Sequence, residues 1–248
     1  MTAVLETVGV TRYFGAVKAA DDLNLRFEDG QTVGIVGPNG SSKTTFVNIV
    51  TGYVKPTRGE VRFKGEDITG LGPRQVTNLG IARSFQIPQL YTSLTILENM
   101  LIALAIRSRR HWEFWRPLKE KARIDEALLV LGQFGFKETA DQKVSTLPEG
   151  GRKLLDVALS FALEPTVLLL DEPTSGVSVD EKFGIMDTLM GVVRESRVTA
   201  VFIEHDMDVV ARYADRVLVF DEGTILADGT PAEIFANPDV RKHVLGEL

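Results

Sequence analysis

Val33 to Thr45 reads VGIVGPNGSSKTT, an apolar strand that runs into a glycine-bearing loop and then a helix starting near Lys43. Gly37, Lys43 and Thr44 fill three of the four fixed positions of a phosphate-binding loop, GxxxxGK[ST], and Ser42 stands at the fourth. In such a turn the unpaired N–H groups of the first helical residues converge on an anion, and the helix dipole adds favourable potential. Lys43 is expected on the β- and γ-phosphates of a nucleotide and the Thr44 hydroxyl on Mg²⁺. Gly37, Pro38, Asn39, Gly40, Ser41, Ser42, Lys43, Thr44 and Thr45 therefore form the expected nucleotide-binding set. Glycine-rich strand-to-helix turns also occur without nucleotide, so the rest of the chain must decide.

VLLLDE, ending at Glu172, is the second half of that case. A carboxylate at the tip of a buried strand beside the phosphate loop holds Mg²⁺ through water, which assigns Asp171. Glu172, next along, is placed to polarise an attacking water. His205 ends a later strand, one strand–helix–strand step on, and its imidazole can contact a γ-phosphate. Gln86, at the tip of another strand, is expected to reach the metal or the attacking water. Tyr13 and Phe14 stand beside Gly15; an aromatic there either stacks on an adenine, a contact of about 1 to 3 kcal/mol in base-stacking systems, or packs as an ordinary ring.

At 248 residues and 44% hydrophobic content, the chain has enough apolar material for one large domain or two small ones. A net charge of −6 excludes a nucleic-acid partner held by general electrostatics. With no cysteine there is neither disulfide nor thiolate metal site. MTAVLETVGV lacks the basic start and long apolar core of a secretion signal, and no apolar run approaches the roughly 20 residues of a membrane span, so a cytosolic chain linked to membranes only through partners is expected.

Strands are expected at Leu5–Val10, Leu23–Phe27, near Glu60–Phe63, and at Ile81–Phe85, Val167–Leu170, Ala200–Ile203 and Val217–Phe220, with a helix over Lys43–Val50. Apolar runs bounded by helices imply an α/β core whose sheet is partly parallel. Residues 87–163 read as an inserted helical subdomain, with Ile124, Leu128 and Leu131 on one face, inside a single domain whose core is 1–86 and 164–248. Within it, Arg107 to Arg123 carries Trp112 and Trp115 among basic residues, either a patch near lipid headgroups or a helix pair with both rings inward. Thr230-Pro231-Ala232-Glu233 fits a capping box opening a C-terminal helix.

The order GPNGSSKTT, SFQIPQ, VLLLDEPTSG, IEHDM resembles the ATP-binding-cassette family across nearly the whole chain. The resemblance implies a P-loop NTPase core with a mixed, largely parallel sheet, an N-terminal antiparallel β part and an inserted α-helical subdomain. It implies ATP and Mg²⁺, with Phe14 at the adenine-stacking position, Gln86 as coupling glutamine, Glu172 as catalytic base and His205 as switch histidine. GIARSFQ, the long helical insertion, IEHDM and the tail GTPAEIFANPDVRKHVLGE make the chain similar to ATP-binding subunits of branched-chain amino-acid importers. Such subunits lie on the cytoplasmic face of the inner membrane with transmembrane permease subunits, a sister ATPase and, indirectly, an external solute-binding protein. Urea or amide importers and a lipopolysaccharide-export ATPase share parts of the likeness; a soluble cassette acting as a switch is the alternative from another class.

Three positions depart from the family pattern. Ser42 replaces a glycine: with a helical backbone serine costs little there, and at positive φ it costs about 1 to 2 kcal/mol, roughly tenfold in affinity. LPEGG at Leu147–Gly151 replaces LSGGQ: Pro148 has neither hydroxyl nor N–H, Glu149 puts negative charge where phosphate should sit, and Thr146 to Glu149 fits a capping box. Ser178 replaces the usual Asp after the VLLLDE strand. The resemblance places each ATP between one cassette's phosphate loop and the other's signature, so an asymmetric heterodimer is expected, with a homodimer as the second arrangement. Ile87, Leu90, Tyr91 and Leu94 are the expected permease-docking surface.

Overall fold

The computed structural model describes residues 3–107 and 120–243. Trp112, Trp115 and most of the basic stretch around them lie outside the described residues. A six-stranded sheet has the order β10-β9-β3-β8-β7-β6, formed by β3 (Thr32–Val36), β6 (Ile81–Ser84), β7 (Val167–Asp171), β8 (Thr199–Ile203), β9 (Arg216–Asp221) and β10 (Thr224–Gly229). All pairings in it are parallel except that of β10 with β9. Every residue of β3, β7 and β8 is buried. These strands are covered on both faces, so they read in sequence as continuous apolar runs instead of alternating ones.

A four-stranded antiparallel sheet, β2-β1-β4-β5, is built from β1 (Ala3–Phe14), β2 (Val17–Glu28), β4 (Arg58–Phe63) and β5 (Glu66–Asp67). β1 and β2 run further than their apolar centres suggest, because Phe14 pairs with Val17 around a turn in which Gly15 has φ +60°. Helix α1 (Lys43–Val50) joins the sheets: the Phe46 ring lies 6.0 Å from Phe27 of β2 and 5.5 Å from Phe220 of β9. A short helix α2 (Pro73–Leu79), with proline in its first turn, precedes β6 and was not foreseen from the pattern.

Between β6 and β7 come α3 (Ile96–Arg107), α4 (Lys121–Gln133) and α5 (Glu149–Phe161). On α4, Leu131 is buried and Ile124 and Leu128 pack beside it, the expected apolar face. The capping box expected at Thr146 does not form. Val144–Thr146 is a 3₁₀ turn, the Thr146 hydroxyl donates back to the Lys143 carbonyl at 2.7 Å, and Pro148 is the N-cap of α5. The box at Thr230 does form: its hydroxyl accepts from Glu233 N–H at 3.4 Å, and Glu233 Oε2 accepts from Thr230 N–H at 2.8 Å, opening α8 (Pro231–Ala236). Helices α6 (Val179–Glu195), α7 (Met207–Tyr213) and α9 (Pro238–His243) complete the α-helices of the described residues, none of which is long and apolar enough to cross a membrane.

Strand register fixes where the chemistry gathers. Ile203 pairs with both Ile35 and Asp171, and Leu170 pairs with Ser84. The residues that follow, the Gly37 loop, Glu172, His205 and Gln86, therefore emerge side by side at the carboxyl edge of one parallel sheet, where open α/β folds bind ligands.

Candidate nucleotide site

The loop after β3 wraps the Lys43 ammonium, which donates to the carbonyls of Gly37 at 2.8 Å and Pro38 at 2.9 Å and to Ser41 Oγ at 3.4 Å. Desolvation lowers the Lys43 pKa, while the nearby Glu172 and Asp171 raise it. Gly37 has no substitute: at φ +149° a Cβ would sit 2.1 Å from the Phe220 carbonyl oxygen. Ser42 has φ +81° and ψ 14°, left-handed, and makes no side-chain capping bond to α1. The costly arm of the sequence expectation therefore applies. Ser42→Gly is expected to tighten Mg-ATP binding by up to about tenfold; a direct titration showing no gain would mean the hydroxyl repays its strain through a phosphate contact.

Asn39, Gly40, Ser42, Lys43, Thr44, Thr45, Glu172 and His205 line one open cavity of about 490 Å³, together with Val17–Ala19 and Glu222. Glu172 sits at φ +50°, its N–H donating to the Ile203 carbonyl at 3.0 Å. Its carboxylate joins two other expected residues: Gln86 Nε2 donates to Oε2 at 2.8 Å, and His205 Nε2 lies 3.1 Å from Oε1. Asp171, buried at the tip of β7, receives Arg83 Nη2 on Oδ2 at 2.6 Å. Among the described residues no group of three or more His, Cys, Asp or Glu could hold a metal alone. Thr44 on the cavity wall and Asp171 at the strand tip offer a hydroxyl and a carboxylate, donors of the kind Mg²⁺ takes together with waters and phosphates.

Gly37, Pro38, Ser41, Gln86 and Asp171 stand outside that lining, and so does Phe14. It lies on the hairpin whose other limb, Val17 to Ala19, does line it, and the Arg12 guanidinium covers one face of its ring at 4.5 Å.

A family model for "ABC transporter" matches residues 20–175, more than half of the chain. This chain belongs to the ABC transporter family. It is 35% identical to the high-affinity branched-chain amino acid transport ATP-binding protein BraF of Pseudomonas aeruginosa, over 98% of each chain. It is 34% identical to the probable branched-chain amino acid transport ATP-binding protein LivG of Archaeoglobus fulgidus, over 98% of this chain and 95% of that one. The ADP conformation of the ABC-transporter cassette MJ1267 superposes over 100% of both chains with a TM-score of 0.88 at 30% identity. The chain is thus a nucleotide-binding ABC ATPase, with the α/β cassette fold.

The signature segment of this ATPase opens α5, with Pro148 as its N-cap. Pro148 and Glu149 are exposed at the start of α5, while Gly150 is buried where a Cβ would stand 2.5 Å from Ile185 Cδ1. Ser178 is the N-cap of α6, and its hydroxyl donates to Glu181 Oε2 at 2.8 Å. Of the expected docking residues, Ile87 and Tyr91 are exposed, but Leu90 is half-buried against the core. Tyr91 instead borders a groove of about 310 Å³ with Phe85, Ile106 and Leu159.

Sequence reasoning passed over several charged residues here. Arg83 bonds Asn48 Oδ1 at 2.6 Å as well as Asp171, tying α1 to β7. Buried Glu204 accepts from both the N–H and hydroxyl of Thr174 at 2.8 Å, and burial raises its pKa. Asp156 and Lys153 on α5 are equally hidden. The one available signal was position: Arg83 and Glu204 flank motif residues.

Proposed function

We propose that this cassette binds Mg-ATP on its own phosphate loop and hydrolyses it to energise uptake of branched-chain or related hydrophobic amino acids. The observation that carries the hydrolytic half is the single cavity lined by Lys43, Thr44, Glu172 and His205. Lys43 and the loop N–H groups hold the phosphates. Thr44, Asp171 and Gln86 would hold Mg²⁺, which would supply charge neutralisation on the phosphate oxygens. Glu172 takes the proton of the attacking water, and His205 orients the Glu172 carboxylate from its Oε1 side. The solute class rests on the named relatives alone.

The chain works as one domain, with 1–86 and 164–248 as nucleotide-binding core and 87–163 as the helical part. It sits on the cytoplasmic membrane face against permease subunits, which dock on exposed Ile87 and in the groove bordered by Tyr91 and Ile106. Its second cassette is a sister ATPase: Glu149 and Pro148 offer a γ-phosphate neither hydroxyl nor positive potential, so a productive signature must come from another chain. Tagged full chain isolated from its own membranes should retain permease proteins and support ATP-dependent leucine uptake in vesicles. Purification without permeases would favour the soluble switch reading. The isolated chain should turn over ATP slowly, and Pro148→Ser with Glu149→Gly should raise its rate severalfold. Rapid, cooperative hydrolysis by the unaltered homodimer, indifferent to those changes, would refute the asymmetric pairing.

A further inference from the structure

Helix α5 sends two buried charged side chains toward the hydrolytic site, Lys153 at 5% exposure and Asp156 at 6%. Asp156 Oδ2 accepts from the Phe85 N–H and Oδ1 from the Gln89 N–H, each at 3.1 Å. These amides bracket Gln86, whose side chain donates to Glu172 Oε2 at 2.8 Å. Lys153 Nζ donates to the Glu172 main-chain carbonyl at 2.9 Å, so one helix holds both partners of the Gln86–Glu172 contact. Burying a carboxylate is expensive, and desolvation does push the Asp156 pKa up to about 6 against the lowering effect of both amides and Lys153. Its two oxygens are nevertheless spent on a loop, outside any regular element, and Asp156 lines the same groove as Phe85, Tyr91 and Ile106.

We propose that Asp156 is a positioning residue for ATP hydrolysis: by gripping the amides of Phe85 and Gln89 it holds Gln86 against Glu172. The inference rests on the hydrolytic role given to Glu172 above. It also gives a physical route from the groove to the nucleotide, since an occupant that moves Phe85 or Gln89 moves Gln86 with them.

Asp156→Asn keeps the side-chain shape but turns one acceptor into a donor, so one of the two amides loses its partner. In the full chain, kcat should fall at least about fivefold while KM for ATP stays within about twofold, and amide exchange over residues 85–90 should quicken at least about tenfold. Because Asp156 acts through Gln86, adding Asp156→Asn to Gln86→Ala should change turnover less than about twofold. An equal fall in both backgrounds would overturn the proposal, as would unchanged turnover or unchanged exchange. In the wild-type chain the Phe85 and Gln89 amides should exchange more slowly than exposed loop amides; equal rates would refute the grip even if the variant did not fold. Slow exchange at these amides with no ATP turnover even beside the sister cassette would locate the failure in the hydrolytic reading, and the positioning role would fall with it while the grip stood.

Discussion

Glu172→Gln is expected to lower Mg-ATP turnover by about 10²- to 10⁴-fold, the range for removing a positioned general base, while leaving ATP affinity within about twofold. The carboxylate is held on both oxygens, by Gln86 Nε2 and His205 Nε2, and it borders the cavity that contains Lys43 and Thr44. An amide of the same shape still accepts from Gln86 but cannot take a proton from water. The backbone gives no separate reason for loss, since glutamine meets the same cost as glutamate at φ +50°. Single-turnover phosphate release, read beside the affinity of a fluorescent ATP analogue, separates the effects. A wild-type rate in the variant would remove Glu172 from proton transfer. A large loss of affinity would instead make it part of the binding surface.

Lys43→Met should abolish the stabilisation of the chain by Mg-ATP. Ligand at 100 times its dissociation constant stabilises by about 2.7 kcal/mol, which for a chain of this size is a rise of roughly 5 to 10 °C in Tm. Methionine keeps an apolar stem of similar length but brings no charge to the phosphates. The nucleotide-free Tm should move by only a few degrees, because two effects oppose each other. The carbonyls of Gly37 and Pro38 lose their donor, while the desolvation that depresses the Lys43 pKa disappears with the ammonium. A full thermal shift in the variant, at the same ATP concentration, would show that the backbone N–H groups alone carry phosphate binding. A collapse of the nucleotide-free Tm would show that Lys43 is chiefly a structural brace of its loop.

Ser42 and Asp156 illustrate two different limits on reading this chain. The serine was visible as a departure from the phosphate-loop pattern, and its cost depended on a backbone angle that no residue type announces; the left-handed φ of +81° settles it. Asp156 gave no signal at all. On an amphipathic helix an acid three residues after Lys153 reads as part of a solvated face, yet both are buried under the Gln86 segment. The Thr146 capping box failed for a related reason: a pattern of four residues specifies bonds that are available, and the preceding 3₁₀ turn took the hydroxyl first.

Sequence by itself determined the phosphate loop, the acidic tip of β7, the histidine after β8 and the α/β class, because each rests on local physics. Apolar runs mark strands buried on both faces, and a glycine-lysine-threonine turn into a helix marks an anion site. Tertiary structure alone decided that Gln86 and His205 share the Glu172 carboxylate and that Arg83 secures Asp171. Those outcomes depend on the register between strands far apart in sequence and on which charged side chains that register encloses, and no short stretch of residues encodes either.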